Sequence, residues 1–164
     1  MANLPSLDLR ATIATGYPTY AEDIPNHPAE QWLRAAMNAA VTLRAFDCGG
    51  SEEAKRSLKK IRTMDKVFDG IPANIIILKA RRDSTVLRGL MRLIFGMRAC
   101  FAESFAICAG LRCLGFFDSY IVVGYARIEL FAPTQLHAWV EWRGEPVSDP
   151  VEVKYGYLEL QRYI

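Results

Sequence analysis

Histidine is scarce in this chain: only His27 and His137 occur in 164 residues, and no two cysteines are spaced as CxxC. A structural zinc site therefore has no ready set of four ligands. Long apolar runs are missing too. None reaches the roughly 18–20 residues of a membrane span, and the best candidate, Val86–Met97, is interrupted by Arg88 and Arg92. The opening MANLPSLDLR has no positive head followed by an apolar stretch, so no secretion signal is expected. Four cysteines without such a signal read as reduced thiols in the cytoplasm rather than a disulfide scaffold. No repeat, low-complexity tract or inter-domain linker is visible, and the length fits one domain. The basic residues lie in helical patterns without interleaved aromatics, which argues against nucleic acid as a partner.

What is present supports a packed core. Hydrophobic residues make up 51% and charged residues 23%, a balance that excludes wholesale disorder. The net charge of +2 is unevenly spread: Glu52–Arg98 holds twelve Lys/Arg against five acids, leaving eight against thirteen elsewhere. Such a basic middle can meet an acidic partner segment, a phosphate or a membrane surface, or simply form a solvated helical face.

Residues 1–26 show no sustained period beyond a short strand candidate at Leu7–Ile13. A helix is expected from Asn26 or His27, with Pro28 near its first position and Trp32, Leu33, Ala36, Ala39, Ala40, Leu43 and Phe46 at helical spacing. Gly49-Gly50 should stop it, and Ser51 should cap a second, basic-faced helix ending near Gly70. Ile71–Leu78 reads as either a strand or a short buried helix. A further helix is expected from Asp83 or Ser84, a break at Gly96, and a fresh helix from Met97–Ala99 to Cys113. Beyond Gly115 the texture turns to strands: Ser119–Ala126, Leu136–Trp142 and Pro146–Val153, the last two joined by a turn at Arg143-Gly144. Helices first and an antiparallel sheet afterwards make an α+β fold. The expected division is a 1–84 arm and helical docking region within the same globule, followed by an 85–164 core.

His137 alone can fill a core, bind a metal or act as a base. The hairpin turn places Asp149 across from it, where a carboxylate would fix the imidazole tautomer. Cys100 opens a helix, and the unpaired N–H groups and dipole there favour a thiolate. Arg98 adds positive charge if it is not engaged elsewhere. Cys48, Cys108 and Cys113 read as structural thiols. Trp139 and Trp142 fall on opposite faces of their strand, as sheet packing or as a ligand platform.

Taken in order, Cys100-Phe-Ala-Glu-Ser-Phe-Ala106, Leu111-Arg-Cys-Leu-Gly115, Val123-Gly124, and His137-Ala-Trp-Val-Glu141 with Gly144 and Asp149 resemble the leader peptidases of lasso-peptide biosynthesis. These belong to a transglutaminase-like, papain-related superfamily, and the likeness spans about residues 85–155. The resemblance implies a cysteine peptidase in which Cys100 is the nucleophile, His137 the base and later acid, and Asp149 the orienting carboxylate. It implies a ribosomally made precursor peptide as substrate and a small PqqD-like leader-recognition protein as partner. A separate ATP-using lasso cyclase would take the product, and the chemistry demands no cofactor. Glu103, Ser104, Trp139, Arg88 and Arg92 are the candidates for substrate or partner contact. Glu103 is a departure, since relatives often carry a basic residue there; it puts an acid one turn from the thiol. Two rival readings share the core: a related transglutaminase-like amidase or acyltransferase, and a non-catalytic peptide-binding module.

Overall fold

The structure, a computed structural model, describes residues 26–61, 68, 70–127 and 135–163. The strand candidate at Leu7–Ile13 lies outside them, as do residues 62–67 and 69 of the stretch expected as a second helix. In chain order the elements are α1 (Ala29–Lys59), α2 (Ala73–Phe95), α3 (Cys100–Cys113), β1 (Ser119–Ala126), β2 (Leu136–Trp142), β3 (Glu145–Pro146), α4 (Val153–Gly156) and β4 (Tyr157–Tyr163). The fold is α+β, with helices first and a four-stranded antiparallel sheet ordered β3-β2-β1-β4.

Helix α3 is the centre. Every residue from Ala102 to Cys113 is buried. A helix apolar on all sides must be enclosed, and α1 and α2 cover it opposite the sheet. Gly110 lets α2 approach closely, since a Cβ there would stand 2.6 Å from a methyl of Leu87. Arg112 ties the far end of α3 to the sheet. Its buried guanidinium donates from Nε and Nη2 to the Ser119 carbonyl, at 3.1 and 2.7 Å.

Several elements differ from their sequence reading. The expected stop at Gly50 is a kink: its φ of 68° breaks the helical geometry, and α1 continues at once without a loop, ending at Lys59. Leu33, expected in the core, faces outward. Ile71–Leu78 is helical from Ala73, because Pro72 supplies a helix start and the branched residues pack inward. Asp83 and Ser84 are therefore not caps but buried mid-helix groups. Asp83 pairs with Lys79 at 3.0 Å and with His27 at 2.9 Å. Ser84 donates to the Arg81 carbonyl at 2.8 Å and also to that of Val147. His27, read as part of a loose start, is buried among Trp32, Phe68 and Phe116. The strand expected over Pro146–Val153 stops at Pro146, and β4 was not anticipated.

Candidate active site

The first helical residue after the Gly96 break is Cys100. Its side chain is half-buried and shares a cavity with the ring of His137, which projects from β2. Asp149 lies beyond the Arg143-Gly144 turn, where both residues have positive φ, 51° and 80°. Its Oδ1 stands 2.9 Å from His137 Nε2. With Nε2 engaged, Nδ1 is the nitrogen left for the sulfur.

The contact between His137 and Asp149 does not arise as the hairpin register suggested. In the β2–β3 ladder Glu141 faces Pro146 and Trp142 faces Glu145; continued, that register would set His137 against Pro150. The chain leaves the ladder first. Val147 N–H still donates to the Val140 carbonyl at 2.9 Å, and then the Ser148 hydroxyl accepts Val140 N–H at 2.8 Å. That hydroxyl donates at 2.6 Å to Asp149 Oδ2, to which Arg88 Nη2 also donates at 3.2 Å. Both carboxylate oxygens are thus committed. Ser148 and this use of Arg88 were not read from the sequence, although Ser148 adjoins Asp149.

Behind the imidazole stands an aromatic wall. Trp139 is nearly parallel to the His137 ring at 6.1 Å, and Tyr157 lies 5.4 Å from it. Gly124, the β1 partner of His137, makes room: a Cβ there would stand 2.8 Å from Trp139 and 2.9 Å from Tyr157. Trp139 is buried and its Nε1 donates to Glu141 at 2.9 Å. Its ring therefore packs the sheet and backs the imidazole rather than offering an open platform. Trp142 faces the opposite side, into the core around α3. Ser104 is also buried, donating at 3.0 Å to the Ala138 carbonyl and fastening α3 to β2.

Glu103 is not a loose acid beside the thiol. It is buried and clamped by Arg92, whose Nε and Nη2 donate at 2.6 and 3.0 Å; Arg88 Nε stands 3.5 Å away. Arg98, the other cation near Cys100, pairs with Asp47. These groups line a cavity of about 130 Å³ that also receives Cys100, His137 and Asp149.

The electrostatics favour a thiolate beside an imidazolium. The hydrogen bond to His137 holds the Cys100 thiol below its ordinary pKa against the opposing effect of burial, helped by backbone hydrogen bonds from Ala138 and Phe101. Burial alone would depress His137, but its bonds to Asp149 and Cys100 prevail and raise it to about 9. Asp149 is partly desolvated, yet His137, Arg88 and Ser148 keep it below the usual carboxylate range. Cys108 and Cys113 differ: burial pushes each up to about 11, as expected of structural thiols.

A model of the family described as the transglutaminase-like superfamily matches residues 55–162, well over half the sequence. The chain belongs to the transglutaminase-like superfamily. No curated protein and no solved structure matches it. Membership accounts for the α+β core, and the match begins within α1, upstream of the motifs quoted above. It is consistent with the amidase or acyl-transfer chemistry of such folds. Among the described residues no helix is long and apolar enough to cross a membrane, and no cluster of His, Cys, Asp or Glu is placed to hold a metal ion.

Proposed function

We propose that this transglutaminase-like protein is a cysteine peptidase that removes the leader from a ribosomally synthesised lasso-peptide precursor. The observation that carries the reading is the meeting of Cys100, His137 and Asp149 in one cavity, with Asp149 Oδ1 2.9 Å from His137 Nε2. The family is supplied by the superfamily match, and the narrower substrate by the ordered motifs between Cys100 and Asp149.

In this reading the Cys100 thiolate attacks the carbonyl carbon before the scissile bond. The carbon–sulfur bond forms, and negative charge gathers on the carbonyl oxygen, where the N–H groups at the start of α3 supply donors. The C–N bond then breaks as the His137 imidazolium gives its proton to the departing amine, which leaves as the new N-terminus of the core peptide. His137, now neutral, takes a proton from water. The resulting hydroxide attacks the thioester and releases the leader carboxylate, restoring the thiolate. Asp149 holds the ring throughout. Residues 1–84 are assigned a docking role, with the basic helices facing an acidic leader or a PqqD-like partner, and the product passes to an ATP-dependent cyclase.

The test is incubation of the purified protein with the precursor encoded beside it, with and without the leader-holding partner, followed by mass spectrometry. Leader release is expected with the wild type and not with Cys100→Ala. Full-speed release by Cys100→Ala would end the proposal.

A further inference from the structure

Three arginines converge on the cavity beside Cys100, and their donors are only partly used. Arg92 commits Nε and Nη2 to Glu103, Arg88 commits Nη2 to Asp149, and Arg98 commits Nη2 to Asp47. The Nη1 group of each has no acceptor among the described residues. Three guanidiniums line the cavity against the carboxylates of Glu103 and Asp149, and Asp47 engages one side of Arg98 from outside the lining. Arg92 and Arg98 are also the more exposed of the three, so their free edges are open to a ligand. A guanidinium edge with spare N–H groups is suited to a carboxylate.

We infer that Arg92 and Arg98, supported by Arg88, form a carboxylate subsite beside Cys100 that takes an acidic side chain flanking the peptide bond to be cut. The inference rests on the peptidase reading and narrows its substrate to a peptide with Asp or Glu next to the reacting carbonyl. Glu103 belongs to the device. By holding Nε and Nη2 of Arg92 in one plane, it presents the remaining edge to the cavity without satisfying it.

Two thiol reagents separate this idea from the wider one, because neither requires the natural substrate. Iodoacetate and iodoacetamide differ only in a carboxylate against an amide. In both, the thiolate sulfur bonds to the CH2 carbon as iodide leaves. Their second-order rates at Cys100 are to be measured at pH 7 by site-resolved mass spectrometry, since Cys48 is also exposed, with free glutathione as reference. The iodoacetate-to-iodoacetamide ratio should exceed that of glutathione by ~10-fold, the low end of cleft focusing. It should fall several-fold in Arg98→Gln and in Arg92→Gln, and hold in Arg98→Lys, which keeps the charge. Two results overturn the subsite while leaving Cys100 a reactive thiol. One is a ratio equal to that of glutathione. The other is a high ratio that neither glutamine variant lowers, which would assign the field to the imidazolium alone. A Cys100 inert to both reagents would remove the peptidase reading and the subsite together.

Discussion

At the scale of single residues, the decisive quantity is the charge state shared by Cys100, His137 and Asp149. His137 is raised to about 9 and Cys100 is held below its ordinary value, two shifts that both favour an imidazolium beside a thiolate. Removing the carboxylate should weaken both shifts. In Asp149→Asn, the pH midpoint for alkylation of Cys100 by iodoacetamide should move up toward an ordinary thiol, ~8.5. Cleavage should drop by up to ~10⁴, the scale of replacing the orienting carboxylate of a Ser-His-Asp triad by an amide. Identical pH–rate curves for wild type and variant would contradict this. The positions of the three residues were legible because each has a local signal: a cysteine after a glycine break, a histidine in a branched strand, and an acid beyond a tight turn. Ser148 had none, and Arg88, expected as a contact for substrate or partner, carried no sign that it holds Asp149. Their work depends on where α2 lies against the hairpin, and that is a property of packing.

At the scale of elements, the joint between α3 and β1 is held by one buried cation. Arg112 gives two hydrogen bonds to a single carbonyl, and hydrogen bonds to charged groups are worth ~1.5–3 kcal/mol. Arg112→Gln should therefore lower the urea midpoint by that amount of stability with an unchanged slope. Arg34→Gln, which breaks the exposed pair with Glu30, should change stability by less than ~1 kcal/mol. Equal effects of the two substitutions would refute the assignment. The same packing explains the element errors. Asp83 and Ser84 look like caps because short polar residues usually avoid helix interiors, yet Asp83 Oδ2 pairs with Lys79 and His27 while Oδ1 has only Arg82 Nε at 3.8 Å, and Ser84 bonds the Arg81 and Val147 carbonyls. β4 escaped notice because Leu158 and Leu160 are exposed and no clean alternation marks a buried face. β1 and β2 were legible from end to end, as runs of branched and aromatic residues with turn signals nearby.

For the whole molecule, the site links stability to pH in two directions. Asp149 has a depressed folded pKa, so its contribution is present above its unfolded value, ~3.9, and is lost as pH falls through the lower folded value. His137 is raised, so its contribution is complete below its unfolded value, ~6.5, and disappears as pH rises through about 9. The Tm advantage of the wild type over Asp149→Asn should accordingly be greatest between about pH 4 and 6.5 and shrink on either side. Thermal unfolding from pH 2 to 10 measures it, and a constant difference would contradict the linkage. The Ser148 oxygen takes the N–H that a neighbouring strand would otherwise claim, and its proton goes to the acid behind the imidazole. Architecture and chemistry thus share a single rivet: a change that slackens the border of the sheet at Val140 also slackens the acid, and neither can drift alone.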